Sequence, residues 1–325
     1  MTEIAQAVTL LKAGDLVAFP TETVYGLGAD ARNPAAVEKI FSAKGRPADH
    51  PVIVHLPDLS HIERWAINIP KIAYRIAAAF WPGPVTLVLQ RHPDIPAIVS
   101  GGQSSIGLRV PNHPIALQLL QAFNDGIAAP SANRFGRISP TTAQHVRDEL
   151  GNAVQLVLDG GACEVGIEST IIDLTGERPQ ILRPGMISAE AITAALGVSL
   201  VIASEARQES PRVSGSLEAH YAPRTPLQLL SASAIAEQIR LAVASGERIA
   251  VLAATNEAPQ SKNVIWVSAA ASASTFAHDL YANLRKLDAT NCARILVEQV
   301  PQDAAWQAIR DRLQRAAAGS GGSHS

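Results

Sequence analysis

Short, mainly apolar runs that give way to small polar, glycine or charged residues limit most what this chain can become. Residues 16–19, 51–56, 85–89, 127–129 and 155–159 are such runs. They are too short for helices and too continuous for half-solvated strands, so they read as strands covered on both faces. Apolar residues at helical spacing lie between them: Ile4, Val8 and Leu11 behind Thr2, then Ala36, Val37, Ile40 and Phe41 behind Asn33-Pro34. Further helical stretches are expected at 59–65, 72–80 and 115–123, from a Thr141 cap to Leu150, and from Ser188 to Gly197. With strands at 104–111, 166–173 and around Arg183, strands and helices interleave along the first two hundred residues, an α/β fold.

The 325 residues exceed what one core usually organises, so two domains are expected. The pattern resumes after a stretch rich in Ser, Glu, Arg and Pro. Strands are expected at 227–230, 248–253, 264–267 and 293–300, alternating with helices at 234–244, 274–287 and 303–316. That is a smaller three-layer α/β domain with a parallel sheet and no glycine-rich phosphate loop. The expected boundaries are 1–202, a linker or lid at 203–226, 227–317, and a flexible tail at 318–325.

Polar chemistry collects at the strand ends. Lys44-Gly45-Arg46-Pro47 sits where the Asn33 helix should stop, and Gly45 can turn left-handed out of it. Two cations side by side on a tight loop can grip a polyphosphate, or they can simply answer the helix dipole. Residues 20–28 form a loop rich in hydroxyls and glycine, with an ordinary strand-to-strand turn as the other reading. Glu22 within it is a metal ligand or a solvated acid. His55 ends a strand, and Arg109 stands in an apolar setting that calls for a carboxylate, internal or from a ligand.

A net charge of −2, spread evenly, excludes a broad nucleic-acid-binding face, so anion recognition has to be local. Two distant cysteines, Cys163 and Cys292, exclude a disulfide framework and a zinc site. The N-terminus lacks the pattern of a signal peptide, and no run has the roughly 18 apolar residues of a membrane span. A cytoplasmic protein is expected. No nucleophile elbow, Walker loop or dinucleotide fingerprint is present.

Six motifs in register resemble the YrdC family: Phe-Pro-Thr-Glu-Thr-Val-Tyr-Gly-Leu-Gly at 19–28, Lys-Gly-Arg-Pro at 44–47 with Pro51 and His55, Gly-Leu-Arg-Val-Pro at 107–111, Pro-Ser-Ala-Asn at 130–133, Gly-Ile-Glu-Ser-Thr at 166–170 and Leu-Arg-Pro-Gly at 182–185. Ser-Pro at 210–211, His-Tyr-Ala-Pro at 220–223 and the added domain resemble the longer, two-domain members. The resemblance implies a twisted mixed-sheet domain with a central crevice, joined to a smaller Rossmann-like three-layer α/β domain. It also implies a nucleotidyltransferase that makes L-threonylcarbamoyladenylate and pyrophosphate from L-threonine, bicarbonate and ATP. That is the first step of threonylcarbamoyladenosine modification of tRNA.

By the same resemblance, Lys44 and Arg46 are catalytic and hold the phosphates. His50, Ser105, Ser131, Asn133, Ser139, Arg183 and Tyr221 join them at ATP, Tyr221 from a lid formed by the linker. Thr23, Tyr25, His55, Arg109, Ala129 and Ser169 hold threonine. Mg²⁺ is expected on the ATP phosphates with no dedicated ligands in the chain. Hand-over to the tRNA threonylcarbamoyl transferase complex is implied, while direct tRNA binding stays open. Phe135 stands where many relatives carry Ser, His50 where Asn is common, and Ala219 where a basic residue is. Two rivals are a YrdC-like RNA-binding module without catalysis and the related carbamoyladenylate chemistry of hydrogenase maturation, which needs zinc fingers that two cysteines cannot build.

Overall fold

Apolar runs of three to five residues do become the strands. The computed structural model describes residues 2–197, 201–202, 211–215, 217–254 and 260–321. Residues 203–210 and Ser216 of the expected linker lie outside the described residues, as do the last four of the tail. The chain divides into two compact units, one of Met1–Phe135 with Pro140–Ser216 and the other of Gly136–Ser139 with Leu217–Ser325.

The first unit is built on an eleven-stranded mixed sheet. Its strands are β1 (Val17–Phe19), β2 (Gly26–Asp30), β3 (Ile53–His55), β4 (Ala66–Ile67), β5 (Val85–Arg91), β6 (Ser105–Arg109), β7 (Ile127–Ala128), β8 (Leu156–Val157), β9 (Thr170–Asp173), β10 (Gln180–Arg183) and β11 (Val201–Ile202). Their order is β11-β10-β9-β5-β6-β3-β7-β2-β1-β8, with β4 added to β5. β3 runs parallel to β6 and antiparallel to β7, which sets His55 beside Arg109 across one ladder. The helices are α1 (Glu3–Lys12), α2 (Pro34–Lys44), α3 (Lys71–Phe80), α4 (Pro114–Phe123), α5 (Ala143–Leu150) and α6 (Ala189–Leu196).

Local chemistry accounts for the helix that matters most. Asn33 accepts the N–H groups of Ala35 and Ala36, Pro34 occupies the first turn, and Ala36, Val37, Ile40 and Phe41 are buried. Gly45 then adopts φ 61° and ψ 34°, and the Arg46 N–H returns to the Phe41 carbonyl at 2.9 Å, a left-handed cap of the expected kind. Two expectations need correcting. The cap of α5 is Thr142, whose side chain accepts the His145 N–H, not Thr141. The stretch at 20–28 is only partly loop, because Gly26–Asp30 pairs antiparallel with β1. The strand tolerates no side chain at Gly28, where a Cβ would lie 2.9 Å from the Phe19 ring.

The second unit has a four-stranded sheet of β12 (Leu227–Leu230), β13 (Ile249–Ala253), β14 (Val264–Ser268) and β15 (Arg294–Glu298), in the order β12-β15-β13-β14. Every pairing in it is parallel, as the alternation of strands and helices predicts. Helices α7 (Ala232–Ser245), α8 (Ala273–Asp288) and α9 (Gln307–Gly319) complete it. Gly136–Ser139 belongs here: Arg137 pairs with Asp288 at 3.1 Å, and the Ala222 N–H donates to the Gly136 carbonyl at 2.8 Å. No described helix is long and apolar enough to cross a membrane.

The core of the first unit has no room at Gly126, where a Cβ would lie 2.3 Å from the Trp65 ring and 2.6 Å from Val54 Cγ1. Gly126→Ala is expected to destabilise the protein by about 1–3 kcal/mol through overpacking, read as a lower urea midpoint. An unchanged midpoint would show that Trp65 can shift aside.

Candidate active site

Lys44 leaves the last turn of α2 and turns inward. Its ammonium is buried and donates to the carbonyls of Ser131 and Asn133, which fastens the loop after β7 to the end of α2. The Phe135 N–H donates to the Lys44 carbonyl at 2.8 Å and strengthens the same junction. Burial, and then the neighbouring Arg46, push the Lys44 pKa well below its ordinary value. The site therefore penalises its own cation, and an arriving anion would relieve that penalty.

Arg46 and Arg183 converge on one serine. Arg46 Nη2 donates to the Pro51 carbonyl at 2.8 Å and to Ser214 Oγ at 3.2 Å, and its guanidinium lies 5.6 Å from the centre of the Phe135 ring. Arg183 Nη1 donates to the Ser214 carbonyl at 2.7 Å, while its Nε and Nη2 hold the Ser169 carbonyl at 3.1 and 2.9 Å. Arg183 Nη2 also reaches Ser169 Oγ at 3.1 Å, and Thr86 Oγ1 shares a hydrogen bond with that hydroxyl at 2.7 Å. Linker residues 211–215 thus lie, through Ser214, against two of the arginines assigned to the nucleotide. Ser105, Thr86, Gly107 and Ser214 line the small cavity left under it, about 20 Å³ and room for roughly one water.

A second cluster surrounds Arg109. Its Nη2 pairs with Glu22 Oε2 at 2.7 Å, its Nη1 donates to Thr23 Oγ1 at 2.9 Å, and its Nε donates to the Gly83 carbonyl at 3.1 Å. Glu22 is 3% exposed, so the expected choice between a metal ligand and a solvated acid is overturned: the carboxylate that Arg109 required is internal. Thr21 Oγ1 links to Thr23 Oγ1 at 2.8 Å and donates to the Val24 carbonyl at 2.7 Å. His55 is buried beside this pair. Desolvation, and then Arg109, hold its pKa down to about 3, so the imidazole is neutral at pH 7.

The other expected site residues fall into three kinds. Ser131 and Asn133 contribute through their carbonyls to Lys44, and the Asn133 amide donates back to the Arg134 carbonyl at 2.8 Å. His50 packs its ring edge-on to Phe135 with centroids 5.2 Å apart, and Ala129 is buried with its N–H on the Ile53 carbonyl at 2.9 Å. The Tyr25 ring is fully buried, and its hydroxyl accepts from the Gly160 N–H at 3.1 Å and donates to the Gly161 carbonyl at 2.8 Å. It pins the turn after β8. Burial raises its pKa to about 12.

Ser139 and Tyr221 belong to the second unit. Ser139 is fully buried and its carbonyl accepts Arg285 Nε at 3.5 Å. Tyr221 adopts φ 60° and is 1% exposed, stacked on Tyr281 with centroids 5.7 Å apart and facing the Arg312 guanidinium at 5.1 Å. Sequence reasoning passed over Thr86 and Thr21. The readable signal at Thr86 was a hydroxyl inside the apolar run 85–89. Among the described residues no three His, Cys, Asp or Glu side chains gather to hold a metal ion, and Glu22 is committed to Arg109.

Residues 9–185 match the Sua5/YciO/YrdC family model, described as telomere recombination, and residues 187–318 match a model described as threonylcarbamoyl-AMP synthase, C-terminal domain. Threonylcarbamoyl-AMP synthase of Bacillus subtilis (strain 168) is 40% identical, over 98% of this chain and 93% of that protein. The protein of that name from Pyrococcus abyssi is 36% identical, over 97% of this chain and 94% of its own. A crystal structure of P. abyssi Sua5 complexed with L-threonine superimposes with a TM-score of 0.88 at 35% identity, covering 98% of this chain and 95% of that one.

Glu22→Gln would leave the Arg109 charge buried without its carboxylate, and is expected to destabilise the fold by about 3–5 kcal/mol in urea unfolding. A loss below about 1 kcal/mol would mean that the pair is dispensable. His55 adds a pH term. Its folded pKa lies near 3, below the roughly 6.5 of an unfolded histidine, so the unfolded chain binds the extra proton between these values. This contribution is full above pH 6.5 and is lost on acidification at up to about 1.4 kcal/mol per pH unit. Comparing urea midpoints at pH 7 and pH 5 should show a smaller drop for His55→Gln than for the native chain.

Proposed function

This chain belongs to the threonylcarbamoyl-AMP synthase family, and we propose that it uses the groove around Lys44, Arg46 and Arg183 to make L-threonylcarbamoyladenylate. The enzyme is a nucleotidyltransferase acting in the first step of threonylcarbamoyladenosine formation in tRNA. Its substrates are L-threonine, ATP and bicarbonate. The threonine amine and bicarbonate form a carbamate with loss of water. The carbamate oxygen then attacks the α-phosphorus of ATP, the bond to the bridging oxygen breaks, and pyrophosphate leaves. No covalent enzyme intermediate is needed, so positioning and charge neutralisation are the protein's work.

The observation that carries this reading is the electrostatics of Lys44. An ammonium has three donors; carbonyls of the 131–133 loop take two, and the third is left for a phosphate oxygen. A phosphate there would restore the positive form that burial and Arg46 oppose. Arg46 and Arg183 would bind phosphate oxygens where they now bind Ser214, so ATP must displace residues 211–215 or seat beside them. Closure of that segment over the reactants would then keep water from the carbamate.

For threonine, Arg109 directs two of its five N–H donors to Gly83 and Thr23, while Nη2 is ion-paired with Glu22 without forming a hydrogen bond to it, so donors remain for a carboxylate. Glu22 fixes the plane of the guanidinium, and neutral His55 adds no competing charge. Ser169, held by Thr86 and Arg183, and Thr23 supply hydroxyls for the substrate side chain and carbamate. Tyr25 acts at one remove, by holding the turn at Gly160. Mg²⁺ would arrive on the triphosphate as part of the substrate, since the described residues offer no cage for it. The product would pass to the tRNA threonylcarbamoyl transferase complex in the cytoplasm, where ATP and tRNA meet. A non-catalytic RNA-binding role is not favoured, because relatives spanning nearly the whole chain bear the name of an enzyme.

Supplying threonine, bicarbonate and Mg-ATP should release pyrophosphate and yield the adenylate, with much less product from serine. Arg46→Ala should lower kcat/KM about 10- to 100-fold, the loss of one charge-assisted contact. Pyrophosphate release that ignores threonine would overturn the reading.

A further inference from the structure

The sheet of the second unit opens a crevice that the reaction above does not use. β15 and β13 are neighbours, and the chain leaves them in opposite directions: from β13 to β14 on one side, and from β15 into α9, which packs against β12 on the other. In parallel sheets the carboxyl ends of strands at such a reversal are where ligands bind. Here those ends surround a cavity of about 480 Å³, within the range of small-molecule sites. Among the described residues, those that line it from the ends of β13 and β14 are alanines, at 254 and 269–271.

Its lining is chemically selective. Phe276 and Trp306, both largely buried, meet edge to face with centroids 5.4 Å apart and form an aromatic wall. Glu298, at the end of β15, is held in place by the Ala254 N–H donating to Oε2 at 2.8 Å. A carboxylate at a strand end beside such a crevice suits the hydroxyls of a ribose. Gln299 and Gln302 each bring a donor and an acceptor on one amide, which matches the edge of a nucleobase. Among the described residues no Lys or Arg lines it, and Glu298 would repel a phosphate.

We propose that this crevice is a second ligand site that takes an unphosphorylated nucleoside, its base against Phe276 and Trp306 and its ribose hydroxyls on Glu298. The site is separate from the one that takes ATP, and binding there does not require catalysis.

The test uses the full chain with its four tryptophans replaced by 5-fluorotryptophan, titrated with adenosine, guanosine, cytidine and uridine. Trp306→Phe assigns the relevant fluorine signal. At least one nucleoside should move the Trp306 signal saturably. Ala270→Leu, which fills the cavity, should weaken that binding by about tenfold or more while pyrophosphate release stays unchanged. Glu298→Gln should weaken it as well, and serves as the deciding variant if Ala270→Leu disturbs the ligand-free spectrum. Failure of all four nucleosides to move Trp306 at millimolar concentration would overturn the proposal. So would binding that both variants leave intact.

Discussion

Positive charge placed out of water has to be met by oxygen, and this requirement organises the first unit. Lys44, Arg46, Arg109 and Arg183 are each less than 8% exposed. Arg109 is met by a carboxylate, whereas Lys44 is met by backbone carbonyls, which are weaker partners for an ammonium. The difference separates two tasks. The Arg109–Glu22 pair is locally balanced and reads as a rigid frame on which an amino acid can be oriented. The Lys44 corner is left short of negative charge, as a pocket that must accept phosphate should be. Side chains far apart in sequence share this arrangement because β3, β6 and β7 lie together in the middle of the sheet.

Signals carried by neighbouring residues were legible in advance. Asn33, Pro34 and Gly45 specify where α2 starts, how it begins and how it ends, so the position of Lys44 and Arg46 on a tight turn could be read directly. The strand and helix alternation after residue 226 likewise implied a parallel sheet, since parallel strands need a crossover connection that is usually a helix; only β13 and β14 are joined without one among the described residues. What could not be read depends on distant partners. Nothing near Glu22 indicates that it lies on an arginine 87 positions later, and a solvated loop acid has the same local sequence. Tyr25 sits inside a motif of the site, yet its hydroxyl is used by the backbone at Gly160 and Gly161, a turn 135 residues away. The strand at Gly26–Asp30 was hidden because two glycines mimic a loop, when the reason for one of them is the Phe19 ring pressed against it.

The second unit shows the same mixture of local and distant causes. Two of its helices follow from caps at Ser231 and Ser272, and Asp303 caps the 3₁₀ turn Ala304–Trp306 that leads into α9, while Tyr221 holds a left-handed backbone that its side chain disfavours. Packing of its ring on Tyr281 and beside Arg312 supplies the compensation. Conformations of this sort persist where surrounding contacts over-determine them.

The strand order of the large sheet bears on how the chain is made. β1, at residues 17–19, pairs in parallel with β8, at residues 156–157. On a ribosome the N-terminal strand therefore emerges long before that neighbour exists, with one backbone edge unsatisfied for most of the synthesis of the unit. Such separation slows assembly and leaves nascent chains prone to pairing with one another. The helix α1, which packs against α4 and so becomes fully seated only after residue 114, cannot shield that edge early. Newly made copies thus have reason to depend on chaperones until the eighth strand arrives.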